Sequence, residues 1–82
     1  MKILPIHPEI EEYLKTHKLV KKFEKQSKFF EKDPTYPSLE AELLEPKHLK
    51  IYSFRVDKKY RAIFVFIRRD AVEIIDVNNH YR

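Results

Sequence analysis

The chain has 82 residues, which is enough for a single domain over residues 1–82 with one modest core. Hydrophobic residues make up 43% of it and aromatic residues 13%, which predicts a globular protein and excludes a disordered one. The absence of cysteine and glycine excludes disulfides, thiolate metal sites and glycine-based phosphate loops, while the net charge of +4 favours nucleic acid or an acidic protein as partner.

The first 34 residues predict a short strand followed by helix. Residues 1–6 form an apolar segment typical of a strand, and Pro8 suits the first position of a helix. The helical spacing of apolar residues fades over residues 16–18, resumes at Leu19 and is stopped by the Asp33-Pro34 pair. This pattern predicts two amphipathic helices, or one broken helix.

The amino terminus does not have the pattern of a secretion signal. It has no basic region followed by an apolar core and a cleavage site. No apolar run in the chain approaches the roughly 20 residues needed to span a bilayer. We therefore expect a soluble, cytoplasmic protein with no membrane partner.

Residues 35–50 predict a connector without a long regular element. Pro37 and Pro46 interrupt it, and four leucines are spread along it. We expect these leucines to hold the connector against the core. A short helix or strand around residues 39–44 is also compatible with the pattern.

The last third of the chain predicts three strands, over residues 51–56, 60–67 and 71–77. They are separated by turns at residues 57–59 and 68–70. Short turns make neighbouring strands antiparallel. Helices followed by an antiparallel sheet indicate the α+β class.

Two arginines in this sheet suggest an anion site. If the turn holds three residues, Arg55 lies directly across from Arg61 on one face, whereas a turn one residue longer or shorter puts them on opposite faces. Arginines opposite each other destabilise a sheet unless a negative charge lies between them, and phosphate suits guanidinium groups well. The alternative is an ordinary solvated face in which they pair with Glu73 or Asp76.

Two further side chains near the carboxyl terminus could take part in a reaction. His80 can move a proton near neutral pH, and Tyr81 can stack on a base. The alternative is a frayed end without function. The four histidines, at positions 7, 17, 48 and 80, lack the spacing of metal ligands, so no metal site is expected.

Together these pieces resemble the RelE/ParE toxins of type II toxin–antitoxin systems. The matching segments, in chain order, are Pro37-Ser38-Leu39, Tyr52-Ser53-Phe54-Arg55-Val56, Tyr60-Arg61-Ala62-Ile63-Phe64 and Ile75-Asp76-Val77, followed by His80 and Tyr81. The resemblance covers the whole chain. It implies two N-terminal helices packed on a twisted, mainly antiparallel four-stranded sheet whose first strand is the amino terminus.

The terminal histidine and tyrosine make the chain similar to the YoeB-type branch, whose members are ribosome-dependent mRNA endoribonucleases. By this resemblance Arg61 holds the scissile phosphate, His80 is a general acid or base, and Tyr81 is the aromatic residue beside it. The RNA contacts are expected from Arg55, Lys50 and His48. The family's other base lies in the connector or at the start of the next strand, where the candidates are Glu42, Glu45, His48 and Lys50, with Glu45 favoured.

The resemblance implies a toxin that enters the ribosome and cleaves mRNA by attack of a ribose 2′-hydroxyl, without metal or cofactor. Its partners would be a cognate antitoxin, the ribosome and mRNA. The chain departs from the family pattern in having Glu40, Glu42 and Glu45 where basic residues are common. Two other functions therefore stay open, a ParE-like inhibitor of DNA gyrase and a nontoxic module that binds an antitoxin.

Overall fold

Residues 1–79, which a computed structural model describes, form an α+β arrangement in which two helices cover one face of a five-stranded sheet. The elements in chain order are β1 (Lys2–Ile3), α1 (Pro8–Thr16), α2 (Val20–Lys32), β2 (Glu42–Leu43), β3 (Tyr52–Arg55), β4 (Arg61–Arg68) and β5 (Ala71–Asn78). Short 3₁₀ turns at Pro37–Leu39 and Lys47–Leu49 flank β2. The predicted α+β class and the two helices are confirmed.

The sheet has the strand order β1-β5-β4-β3-β2, so the prediction of four strands is wrong. The additional strand is β2 in the connector, where Glu42 lies opposite Ser53 and Leu43 opposite Tyr52. A strand of two residues is too short to produce a visible alternation of apolar and polar residues. The helices also begin only after β1, which pairs in parallel with β5 and makes the sheet mixed.

The helices are separated at the point where the apolar pattern fades. Lys18 has a left-handed backbone with φ 59°, and the N–H of Leu19 donates to the carbonyl of Leu14 at 2.8 Å. This is the geometry that commonly ends a helix at a glycine. Because the chain has no glycine, Lys18 takes that conformation and α2 starts immediately afterwards.

Aromatic rings make up the centre of the core between α2 and the sheet. The ring of Phe30 lies 5.1 Å from that of Phe54 and 5.0 Å from that of Phe64. Phe23 adds a fourth ring, 6.2 Å from Phe54. All four side chains are buried, so this cluster holds α2 on β3 and β4.

A bulge in β5 positions the end of the sheet beside β4. Ile63 pairs with Asp76 and Phe64 with Ile74, which leaves Ile75 as the extra residue. Because the bulge resets the alternation, Val77 faces the core and Asn78 lies opposite Arg61. The carboxyl end of β5 is thereby directed to the beginning of β4.

None of the helices within residues 1–79 is long and apolar enough to cross a membrane.

Candidate functional site

The two arginines face each other across β3 and β4. Arg55 is the register partner of Arg61, so of the two registers that the sequence left open the structure has the one expected for a turn of three residues. The connecting turn is held by Asp57, whose Oδ1 accepts from the backbone N–H groups of Lys59 and Tyr60, both at 2.8 Å. These bonds set the length of the turn and therefore the register that brings the guanidinium groups to one face.

The charge of Asp57 is part of this turn. Burial alone would raise the pKa of Asp57, but the hydrogen bonds from Tyr60 and Lys59 and the ammonium of Lys22 at 3.3 Å outweigh it and lower that pKa. The carboxylate is the form that accepts these bonds. The turn is consequently strongest when Asp57 is ionised.

The Arg61 side chain is buried on the polar face of the sheet, with 7% of its surface exposed. Its Nε donates to the hydroxyl of Ser53 at 2.9 Å, and its Nη2 donates to the carbonyls of Glu40 and Ser53. Burial lowers the pKa of Arg61, the carboxylates of Glu42 and Glu40 oppose this, and Arg55 adds to the lowering. A guanidinium stays charged at any relevant pH despite such a shift.

Glu40 contacts both arginines. Its carboxylate lies 2.8 Å from Nη2 of Arg55, while its backbone carbonyl accepts from Arg61. Glu40 has a left-handed backbone with φ 43°, which costs roughly 1–2 kcal/mol for a residue other than glycine. An unfavourable backbone conformation is thus tolerated where one residue bridges two cations.

Gln26 fixes the connector that carries Glu40. It is a buried polar residue on α2, and its Nε2 donates to the carbonyls of Arg55 at 2.8 Å and Ser38 at 3.1 Å. The hydroxyl of Ser38 donates back to Oε1 of Gln26 at 3.2 Å. Leu39, fully buried, anchors the same turn to the core.

The sequence-based reasoning missed Gln26, Ser53 and Glu40 as parts of the site. One signal was present for Gln26, which stands three residues after Phe23 and four before Phe30, on the apolar face of α2. An amide on such a face must find hydrogen-bond partners when it is buried. Glu40 carried no comparable signal, because its role depends on where the connector turns.

Besides Glu40, Glu42 is a connector residue whose negative charge opposes the lowering of the Arg61 pKa. Glu42 lies opposite Ser53 in the sheet, and Ser53 is bonded to Arg61. Glu42 and the favoured candidate Glu45 are both exposed, as are His48 and Lys50, and within residues 1–79 none of the four has a side-chain hydrogen bond or ion pair with another residue. The structure brings together Arg55, Arg61 and Glu42, and it does not bring Glu45, His48 and Lys50 to them.

The predicted terminal residues His80 and Tyr81 lie outside the described residues. Their expected roles stay predictions. The described part of β5 ends at Asn78, opposite Arg61, so the sheet itself ends beside the arginine pair.

The predicted alternative partners of the arginines are engaged elsewhere. Glu73 lies 2.5 Å from Nε2 of His7. Asp76 accepts from its neighbour Val77 at 2.9 Å and from Asn78 at 2.8 Å. Arg55, for its part, pairs with Glu40, which supplies the negative charge that an arginine pair needs.

Within the described range, no group of three or more histidine, aspartate or glutamate side chains is arranged to hold a metal ion. Two guanidinium groups on one face can bind phosphate oxygens and stabilise added negative charge.

No protein-family model and no curated protein sequence matches the chain. Solved structures do match over nearly its whole length. The YoeB/ParE toxin from Agrobacterium tumefaciens superposes with a TM-score of 0.70 at 19% identity, covering 99% of this chain and 100% of that one. YoeB in a heterotetrameric YoeB–YefM toxin–antitoxin complex from Staphylococcus aureus gives 0.69 at 21% identity, with 99% and 98% covered.

A third structure, the YoeB dimer from Staphylococcus aureus, has a TM-score of 0.65 at 23% identity, covering 98% of this chain and 94% of that one. At such identities the likeness is one of fold. The chain has the fold of the YoeB/ParE toxins, as the sequence resemblance implied.

Proposed function

We propose that this chain, having the YoeB/ParE toxin fold, is the toxin of a type II toxin–antitoxin system and a ribosome-dependent endoribonuclease that inhibits translation in the cytoplasm. The observation that carries the proposal is the pairing of Arg55 with Arg61 on one face of β3 and β4. Such a pair suits a phosphodiester, which offers oxygens to both guanidinium groups.

In the proposed reaction a ribose 2′-hydroxyl attacks the adjacent phosphorus. The new O2′–P bond forms as the P–O5′ bond breaks, and the transition state carries more negative charge on the phosphate oxygens than the ground state does. Arg61 stabilises that added charge, and its bond to Ser53 holds the guanidinium in place for the task. Arg55 binds the RNA backbone beside it.

Two groups move the protons. His80 donates to the departing 5′ oxygen, a role suited to an imidazole, with Tyr81 stacking on a base beside it. The base that takes the 2′ proton is a connector carboxylate, and we assign this role to Glu42, because it lies opposite Ser53, the residue bonded to Arg61. Glu45 is the alternative base, and His48 and Lys50 are further candidate RNA contacts.

The proposed protein partner is a cognate antitoxin. One of the similar structures is a YoeB–YefM toxin–antitoxin complex. In this chain Ile67 and Ile75 are exposed on β4 and β5, and an antitoxin segment that covered them would bury apolar surface. The ribosome and mRNA are the other proposed partners.

The nuclease proposal is tested by inducing the protein in cells and mapping message ends by primer extension. We expect new ends within translated messages, and a loss of about 10²–10³-fold in cleavage for Arg61→Ala, as for removal of one transition-state donor. His80→Ala is expected to reduce cleavage as a lost general acid does, by about 10²–10⁴-fold. The control is Arg69→Ala, which removes the same charge from an exposed turn.

Uncut translated messages in cells that contain the wild-type protein would contradict the proposal. The same holds if Arg61→Ala and His80→Ala both cleave like Arg69→Ala.

The burial of Arg61 favours a second candidate, a ParE-like inhibitor of DNA gyrase without nuclease activity. A structural arginine is expected to be covered and bonded by protein groups, as Arg61 is. This function needs neither His80 nor Tyr81. Normal toxicity with gyrase-linked DNA damage in a chain ending at Asn79 would favour it, whereas a nontoxic antitoxin-binding module would leave growth unchanged and still copurify with an acidic partner.

A further inference from the structure

The arginine pair already has an anion bound to it, and that anion is part of the protein. The carboxylate of Glu40 lies 2.8 Å from Nη2 of Arg55, and the carbonyl of Glu40 accepts from Arg61. We propose that Glu40 is an internal competitor of phosphate, and that an RNA phosphodiester occupies the arginine pair by displacing it. This inference rests on the proposed function, because it takes RNA as the ligand.

The chemistry of the Glu40–Arg55 contact indicates that Glu40 competes with phosphate for the arginine, and does not merely hold it in place. A carboxylate is the protein group that most resembles a phosphate to a guanidinium, since both offer oxygens that accept parallel N–H bonds. The carboxylate of Glu40 satisfies Arg55, and the carbonyl of the same residue covers Arg61. A single residue therefore contacts both cations, and its displacement opens Arg55 and removes one of the acceptors of Arg61.

The contact is placed where it can be broken. About half of the Glu40 side-chain surface and 39% of that of Arg55 are exposed, so water reaches the ion pair and weakens it. A buried pair would not exchange its partner so readily. The Glu40–Arg55 ion pair is thus exposed and can break, while the Arg61–Ser53 hydrogen bond beside it is buried and stays in place.

The segment that has to move is short. On one side Leu39 is fully buried and Ser38 is bonded to Gln26, and on the other side Glu42 begins β2. The residues between these anchors are Glu40 and Ala41. Since Glu40 has a left-handed backbone with φ 43°, a return to an ordinary conformation would release strain as the carboxylate leaves.

The prediction is that Glu40 lowers the affinity of this site for RNA. Its substitution Glu40→Gln keeps the size and backbone of the residue and removes the charge that competes with phosphate. The matched control is Glu12→Gln, which makes the same change in net charge at an exposed position of α1. Comparison of the two separates displacement at the site from general attraction between the protein and RNA.

The experiment measures fluorescence polarisation of a labelled RNA hexamer that carries 2′-O-methyl groups at every position and therefore cannot be cleaved by 2′-hydroxyl attack. We expect Glu40→Gln to bind it about three- to five-fold more tightly than Glu12→Gln, the range set by a partly exposed ion pair. In an Arg55→Ala background the same Glu40→Gln change should have no effect, because no ion pair remains to be broken.

Equal affinities of Glu40→Gln and Glu12→Gln overturn the inference, and so does a failure of every variant to bind the hexamer. Tighter binding by Glu40→Gln that survives in the Arg55→Ala background also overturns it. The proposed nuclease function is judged separately by message cleavage in cells. Tighter binding together with uncut messages would support the inference and contradict the nuclease.

Discussion

The two faces of the β3–β4 pair are both largely shielded from water, but they are held together by different forces. On the helix face, Phe54 and Phe64 are buried with their rings 5.8 Å apart. On the opposite face Ser53 and Arg61 are buried as well, and they are joined by a hydrogen bond of 2.9 Å. Burial alone therefore does not separate core from candidate site in this protein.

The difference lies in what each face requires of its residues. Apolar rings need volume and contact, and several residue types can supply these. A buried guanidinium needs acceptors in the correct directions, because an unsatisfied donor costs free energy. The polar face thus places stricter demands on geometry, and we expect the aromatic face, which buries more apolar surface, to contribute more to stability.

The largest expected effect tests the aromatic face. Phe54→Ala removes a fully buried ring from the centre of the cluster and should lower the free energy of unfolding by about 3–5 kcal/mol. Urea denaturation followed by circular dichroism measures this. Phe66→Ala is the control, since Phe66 is 42% exposed and should cost much less. Equal losses for the two variants would mean that the ring cluster is not the main source of stability.

The second-largest expected effect concerns the polar face, at Ser53, which precedes Phe54 on β3. Ser53→Ala removes the acceptor of Arg61 Nε and should cost about 1–3 kcal/mol in the free energy of unfolding, the penalty for an unsatisfied buried donor. Denaturant unfolding again gives the value.

Ser27→Ala provides the control for Ser53→Ala. The Ser27 hydroxyl is buried and has no hydrogen-bond partner within residues 1–79, so its removal should be neutral or slightly stabilising. A Ser53→Ala variant that unfolds like Ser27→Ala would show that the Arg61–Ser53 bond contributes nothing to stability.

The smallest effect concerns the turn that joins the two strands. The pKa of Asp57 is lowered in the folded protein, so its contribution is fully present above the unfolded pKa of about 3.9 and is lost as the pH falls through the folded pKa. Asp57→Asn should lower the free energy of unfolding by about 1 kcal/mol or less at pH 7, as for a partly exposed charge, and this difference should shrink below pH 4.

Unfolding measured across pH 2–7 checks the prediction for Asp57. Asp70→Asn, in the exposed turn between β4 and β5, is the control and should change the free energy by less than about 0.5 kcal/mol. A difference between wild type and Asp57→Asn that stays constant down to pH 2 would contradict the role of the Asp57 charge.

The predicted elements with long, regular patterns match the structure closely. The helix start at Pro8, the break after Thr16 and the three carboxyl-terminal strands follow from local residue order, because helix and strand impose different spacings on apolar residues. The pairing of Arg55 with Arg61 was one of two registers that the sequence allowed, because it depends on the length of one turn. Strand β2 did not, because its pairing with β3 joins residues distant in sequence.

The residues of the candidate site also separate into those that local sequence identifies and those that only tertiary contacts bring together. Sequence by itself determined the class of the fold, its helices and its main strands, since these depend on spacing within short segments, whereas the structure chose between the two registers that the sequence allowed for Arg55 and Arg61. Tertiary structure alone decided that Glu40 contacts both arginines, that Gln26 anchors the connector and that Glu42 pairs with Ser53, which is bonded to Arg61. The physical reason is that a connector without periodicity acquires its positions only from the surfaces on which it packs.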